Sequence, residues 1–232
     1  VQSLKDKVAV ITGSSRGIGL AIARHLATHQ MRLVLCARDQ SALKEAAETI
    51  GLAKDRILIV DGDLTKPSTA KKLVDKTFET FGQLDLFVNN AGVGAHGPLE
   101  QMTEKDYAKV FDLNVKAVMH TMAELIPRLR DQGHGHIINI SSMASKQGVP
   151  TMSLYAASKA ALNTLSESAA LEVREDNIKI SVLAPGSVDT SFGGRKPDSK
   201  KLRLTADDVA ESVVHLATQH DNAWTSRTEI RP

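Results

Sequence analysis

Apolar and polar positions along the chain fall into two alternating regimes. Short aliphatic and β-branched runs occupy 8–12, 33–37, 57–60, 84–89, 136–140 and 179–183, the length and composition of strands buried on both faces. Between them, at 18–29, 40–50, 68–81, 104–130 and 153–175, apolar residues recur every three or four positions, the period of amphipathic helices. Thr205-x-x-Asp208 has the form of a capping box opening a last helix, and Thr103-x-x-Asp106 gives the same signal earlier. Residues 225–232 alternate like a final edge strand and stop at Pro232. Six apolar strands separated by helices predict an α/β fold: a doubly wound, mostly parallel sheet with helices on both faces. Its ligand crevice lies at the carboxyl ends of the strands. The sequence has no long linker, repeat or low-complexity tract, so 1–232 is expected to form a single domain.

Composition narrows the partners. With 29 Lys and Arg against 27 Asp and Glu the chain carries a net charge of +2, too balanced to suggest nucleic acid or an anionic membrane. No apolar run approaches the roughly 18 residues that cross a bilayer. Cys36 is the single cysteine, which excludes an intrachain disulfide and a cysteine metal site; within 33–37 it is expected to be a small buried hydrophobe. Residues 1–7 are too polar for a secretory signal, so the expected location is the reducing cytoplasm. His25, His29 and His120 lack ligand spacing, and no metal is expected.

The first strand runs into Thr12-Gly13-Ser14-Ser15-Arg16-Gly17-Ile18-Gly19 and then a helix. Glycines let the backbone turn sharply and approach a pyrophosphate, and the helix offers unpaired N–H groups and the positive end of its dipole. Between strand and helix, G-x-x-x-G-x-G points to a Rossmann-type dinucleotide site. An NAD site normally has a carboxylate at the end of the second strand, where this chain has Ala37 followed by Arg38. Arg38 and Arg16 are placed to bind an adenosine 2′-phosphate, so NADP(H) is the expected cofactor. Asp39 offers a ribose hydroxyl an acceptor, which leaves NAD(H) open.

Tyr155-Ala156-Ala157-Ser158-Lys159 places a phenol and an ammonium on one helix face. A nearby cation stabilises phenolate, which suits proton exchange with a substrate oxygen. The fifth strand ends in Ser141-Ser142, a hydroxyl at the crevice, and Asn89-Asn90-Ala91-Gly92 follows the fourth strand in the same way. Asn114 lies inside a long helix pattern, where asparagine is a poor helix former and needs a reason.

Thr12–Gly19, Asp63, Asn89–Gly92, Asn114, Ser142, Tyr155, Lys159 and Pro185-Gly186, in this order and spacing over about residues 5 to 190, resemble the short-chain dehydrogenase/reductase family in its shorter single-domain branch. The resemblance implies hydride transfer between NADP(H) and a small carbonyl or alcohol substrate. It implies Tyr155 as acid/base and Ser142 as the group polarising the carbonyl. Lys159 would bond the nicotinamide ribose and lower the Tyr155 pKa, and Asn114 would hold a relay water. Gly13, Ser15, Arg16, Gly17, Ile18, Gly19 and Arg38 would bind the cofactor, Asp63 and Leu64 would flank the adenine, and Asn90, Ala91 and Gly92 would line the adenosine-ribose side. Pro185, Gly186, Val188 and Thr190 resemble the segment that holds the carboxamide. A homodimer or homotetramer built on 104–130 and 153–175, with Ala156, Ala157, Ala160 and Ala161 allowing close approach, is implied as well.

The chain departs from the family after Thr190. Only 191–204 stands before the last helix, where relatives have a longer lid, and Arg195, Lys196, Lys200, Lys201 and Arg203 face Asp198 alone. A short solvated substrate loop is the expectation; an acidic carrier protein is the sharper alternative, and with it a 3-oxoacyl-carrier-protein reductase. A non-catalytic NADP(H)-sensing protein is the competing class, against which Asn114, Ser142, Tyr155 and Lys159 are all present.

Overall fold

A computed structural model describes residues 2–190, 192 and 202–232. Most of the expected loop at 191–204 thus lies outside the described residues. The strands are β1 (Val8–Thr12), β2 (Arg32–Ala37), β3 (Ile57–Asp61), β4 (Leu86–Asn89), β5 (Gly135–Ile140), β6 (Ile178–Pro185) and β7 (Arg227–Ile230). The helices are α1 (Gly17–Thr28), α2 (Gln40–Ile50), α3 (Pro67–Phe81), α4 (Glu104–Phe111), α5 (Ala117–Gln132), α6 (Ser153–Glu172) and α7 (Ala206–Ala217). The strands form one seven-stranded sheet in the order β3-β2-β1-β4-β5-β6-β7, with every neighbouring pair parallel. Strand order reverses between β1 and β4, which opens a crevice at their carboxyl ends.

Alternation along the strands divides the core in two. Val8, Val10, Val34, Phe87, Ile137 and Ile180 pack with Leu73, Leu125 and Leu162 from α3, α5 and α6. Ala9, Ile11, Leu33, Leu35, Val88 and Ile138 pack with Ile22, Leu43 and Val213 from α1, α2 and α7. Both threonine capping boxes form, at Thr103 and Thr205. Among the described residues no helix is long and apolar enough to cross a membrane.

Three expected elements differ. The single helix over 104–130 is two helices joined by a π-helical turn, Asp112–Lys116, which carries Asn114 fully inside. Such a turn re-aims one side chain without ending the helix. The helix over 153–175 ends at Glu172 and passes through a 3-10 turn to Asn177, left-handed at φ 57°. The strand over 84–89 begins at Leu86, because Leu84 spends its N–H and C=O on the Gln132 side chain and the Asp85 carboxylate accepts from the Val8 N–H at 2.7 Å.

Candidate active site

The glycine loop is tied down from both sides. Gly13 and Gly17 adopt left-handed backbone at φ 66° and 57°, a region that costs a side-chain-bearing residue strain. A Cβ on Gly19 would stand 2.3 Å from the Gly13 carbonyl oxygen, so the helix starts as close to the loop as a hydrogen permits. The N–H groups of Gly13 and Ser14 donate to the Cys36 carbonyl, and Ser14 Oγ accepts from the Cys36 N–H at 3.0 Å. Cys36 itself is sealed in the core, and burial pushes its thiol up to about 12. On the other side Asn90 Nδ2 donates to the carbonyls of Thr12 and Gly13, while Thr12 Oγ1 accepts from the N–H groups of Asn90 and Ala91.

α1 leaves its first amides available: Arg16 stands at the N-cap without a side-chain cap, and the first turn has no acidic residue. Thr190 closes the crevice opposite, its Cγ2 3.9 Å from where a side chain on Gly17 would begin. Arg16 and Arg38 are both exposed. Asp39 is the N-cap of α2, and its Oδ1 accepts from the Ser41 N–H, the Ser41 hydroxyl and the Ala42 N–H. Its expected alternative role toward a ribose therefore competes with holding this helix. The Thr65 amide and hydroxyl, with the Arg38 and Lys66 charges behind them, hold the Asp63 carboxyl below the usual range. Leu64 beside it is buried. Pro185 ends β6, Gly186 donates to the Ile230 carbonyl at 2.8 Å, and Val188 bridges to Leu204.

The candidate catalytic residues converge at the carboxyl end of β5. Tyr155 and Lys159 lie one turn apart on α6, with Lys159 Nζ 5.9 Å from the Tyr155 ring centroid. Lys159 Nζ donates to the Ile140 carbonyl at 2.8 Å, and burial pushes its pKa down to about 8. Gly92 borders this ammonium: a Cβ there would meet Asn114 Oδ1 at 3.3 Å and Lys159 Nζ at 3.7 Å. The Asn114 amide is held by three bonds, accepting from the Val93 N–H and donating to the Val93 carbonyl and to Ser158 Oγ. Ser158 passes the chain of bonds to the Tyr155 carbonyl at 2.7 Å. Ser142 leaves β5 with extended backbone, its Oγ accepting from the Ala144 N–H at 3.2 Å. The Phe192 ring stands 5.6 Å from that of Tyr155, inclined at 54°.

Sequence reasoning did not single out Ser158 or Asn163, which hold these groups in place. Asn163 and Ser166 continue the inward face of Tyr155 and Lys159 at helical spacing, and polar residues on the buried side of a helix were the available signal.

A family model for the short chain dehydrogenases matches residues 7–201. An uncharacterized oxidoreductase of Staphylococcus saprophyticus is 33% identical over 230 residues, covering 99% of this chain and 98% of its own. Among solved structures, an alcohol dehydrogenase from Thermococcus sibiricus complexed with 5-hydroxy-NADP superposes with a TM-score of 0.91 at 31% identity, over 97% of this chain and 96% of that one. A metagenomic short-chain oxidoreductase in complex with NADP gives 0.87 at 36% identity, over 100% and 99%. A short-chain dehydrogenase/reductase from Burkholderia phymatum in complex with NAD gives 0.88 at 29%, over 100% and 90%. With this sequence match across nearly the whole chain and the parallel seven-stranded sheet beneath it, the protein belongs to the short-chain dehydrogenase family of oxidoreductases.

Proposed function

We propose that the protein is an NADP(H)-dependent oxidoreductase acting on a small carbonyl or alcohol substrate, with Tyr155 as its acid/base. The observation that carries this reading is the buried Lys159 ammonium beside the Tyr155 ring at the mouth of the crevice. The chain's own groups fit a nicotinamide dinucleotide. Gly13 and Gly19 let the loop close against α1 and Asn90, Gly17 leaves no side chain over the turn, the first amides of α1 lack a cap, and Arg16 and Arg38 are exposed. NADP in one solved relative and NAD in another support the cofactor class.

The bound cofactor supplies the donor or acceptor of a hydride. In the direction of reduction, Tyr155 gives its phenolic proton to the substrate oxygen as the new C–H bond forms at the carbonyl carbon and the π pair moves onto oxygen. Ser142 donates a hydrogen bond to the same oxygen and fixes its position. Lys159 stabilises the phenolate left behind. Asn114 holds the backbone at Val93 and the Ser158 hydroxyl, and a water on its free carbonyl lone pair would return the proton through Lys159.

The same reading includes a homodimer or homotetramer and action in the cytoplasm. Exposed Met119 on α5 and Leu171, Ala157 and Ala160 on α6 support the first, whereas Ala156 points inward. The test is NADPH oxidation against a panel of ketones, aldehydes and acyl-carrier thioesters. A substrate in that panel whose turnover survives Tyr155→Phe above about a tenth of the wild-type rate would overturn the acid/base assignment.

A further inference from the structure

Besides the bond from Lys159 Nζ to the Ile140 carbonyl, the Ser142 loop is fastened to the helix that carries Tyr155 and Lys159 by a side chain that no catalytic role explains. Asn163 lies on α6 one turn beyond Lys159 and is only 6% exposed. Its Oδ1 accepts from the Ser141 hydroxyl at 2.6 Å, and its Nδ2 donates to Ser145 Oγ at 2.8 Å. Ser145 then donates to the Ser142 carbonyl at 2.6 Å. One amide thus grips the residue before Ser142 directly and reaches the peptide after it through one hydroxyl. Each group is used in the only sense that satisfies it: the amide oxygen accepts, the amide nitrogen donates, and Ser145 takes one bond and passes one on.

We infer that Asn163 is a positioning residue of the site, setting the distance and direction from Ser142 Oγ to Tyr155. This rests on the reading of Ser142 and Tyr155 given above. The other ties between the end of β5 and α6, Lys159 Nζ on the Ile140 carbonyl and Ser141 Oγ on the Lys159 carbonyl at 3.5 Å, stop short of Ser142, and the Asn163–Ser145 bond carries the tie past it into the turn. The β5 end is otherwise held laterally, by Ser141 N–H on the Leu183 carbonyl in β6. None of these other bonds reaches the turn at Met143–Ser145, which Asn163 grips through Ser145. A displacement of the Ser142 hydroxyl by about an ångström is enough to cost a reaction up to a hundredfold when orientation is part of the barrier.

Asn163→Ala and Ser145→Ala are to be compared with wild type, alone and in a Ser142→Ala background. The expected result is a fall in kcat of about ten- to a hundredfold for Asn163→Ala, with NADPH affinity changed less than about threefold. Ser145→Ala should fall in the same direction and add little to Asn163→Ala, because the two stand in one chain of bonds. In the Ser142→Ala background Asn163→Ala should change kcat by less than about twofold, since its effect passes through the Ser142 hydroxyl. A full additional loss in that background would show that Asn163 acts generally on the fold, and would overturn the inference. Amide hydrogen exchange over residues 141–150, which needs no substrate, should rise in Asn163→Ala while exchange in β1 and β4 stays unchanged. Unchanged exchange over 141–150 would also overturn it. Faster exchange there in an enzyme indifferent to Tyr155→Phe would leave the tether standing and remove the reading it serves, so the two failures separate.

Discussion

The Nζ atom of Lys159 lies 5.9 Å from the centroid of the Tyr155 ring and donates to the Ile140 carbonyl at 2.8 Å. The cation therefore sits at the end of β5, beside the Tyr155 ring and next to the strand that runs into Ser142. Tyr155→Phe removes the proton without removing the ring, and should lower turnover by about 10²–10⁴ with NADPH binding nearly intact. Burial pushes the Lys159 pKa down to about 8, so its charge is lost as pH rises through that value. kcat/KM for reduction should decline above about pH 8, and Lys159→Arg, which keeps its charge, should move that limb upward. A profile flat to pH 10 would separate Lys159 from the proton chemistry.

The same lysine weakens the fold it works in. A folded pKa of about 8 against 10.5 for a free lysine means that the unfolded chain binds the proton more tightly. Stability then rises with pH between those two values, and at pH 7 the full cost of the buried ammonium is present. Lys159→Met should raise stability by about 1–2 kcal/mol, after the Ile140 carbonyl loses its donor, or about 2–6 °C in Tm. It should also abolish turnover. Thermal melts at pH 7 decide this, and a lower Tm in the variant would contradict it.

His136 sets a second pH dependence at the opposite end of the strands. Ser181 Oγ donates to the Thr225 carbonyl at 2.7 Å, so at 2.9 Å it accepts from His136 Nε2–H. The residue is half-buried, but its ring is enclosed, and burial with the Lys179 charge behind it pushes the pKa down to about 3. Between pH 6.5 and 3 the unfolded chain takes up a proton that the fold refuses, so stability present at neutral pH is lost on acidification. Denaturant titrations should show a loss of about 2 kcal/mol between pH 7 and 4.5. His136→Gln should reduce that loss. An equal loss in wild type and variant would move its origin elsewhere.

The parts legible in the sequence were those with a period or a fixed spacing. Tyr155 and Lys159 share a face because a helix turns every 3.6 residues, and the glycine loop announces itself between an apolar strand and a helix. The turn at Asp112–Lys116 was not legible, because its side chains continue the helical pattern and only the backbone widens to bring Asn114 inside. Asn163 was hidden for another reason: its partners Ser141 and Ser145 come from a different element, and sequence spacing says nothing about contacts across elements. Leu84 continued an apolar run into a strand that tertiary bonds to Gln132 cut short.

Assembly is testable without a substrate. Leu171 on α6 is 69% exposed and Met119 on α5 is 43% exposed, apolar surface that a subunit contact through these helices would remove from water. Sedimentation at micromolar concentration should give a dimer or tetramer of the 25.0 kDa chain. Leu171→Glu should shift it toward monomer. A single 25.0 kDa species in wild type would remove the oligomer from the proposal.

Cofactor preference follows from what stands at the end of β2. Ala37 closes the strand without a carboxylate, and Arg38 after it and Arg16 in the glycine loop are both exposed. Asp39, the nearest acceptor for a ribose hydroxyl, has Oδ1 committed to three donors at the start of α2. Turning it toward a ribose would uncap that helix at a cost of about 1 kcal/mol. A 2′-phosphate meeting two guanidiniums gains charge-assisted hydrogen bonds that NADH cannot supply, each worth about 1.5–3 kcal/mol before solvent screening. Exposure reduces the sum to about 2–3 kcal/mol, or roughly 30- to 150-fold in kcat/KM for NADPH over NADH. Raising the salt concentration should narrow the ratio, because exposed charges are screened within about 10 Å at 0.1 M. Arg38→Ala should lower it by about tenfold through NADPH alone, and Ala37→Asp should reverse it by repelling the phosphate and offering the ribose hydroxyls an acceptor. The decisive comparison is both cofactors with wild type and these two variants. Equal use of NADH and NADPH by wild type, or a ratio indifferent to Arg38→Ala, would shift the choice to Asp39, and Asp39→Ser, which keeps a cap, would then be the variant to measure.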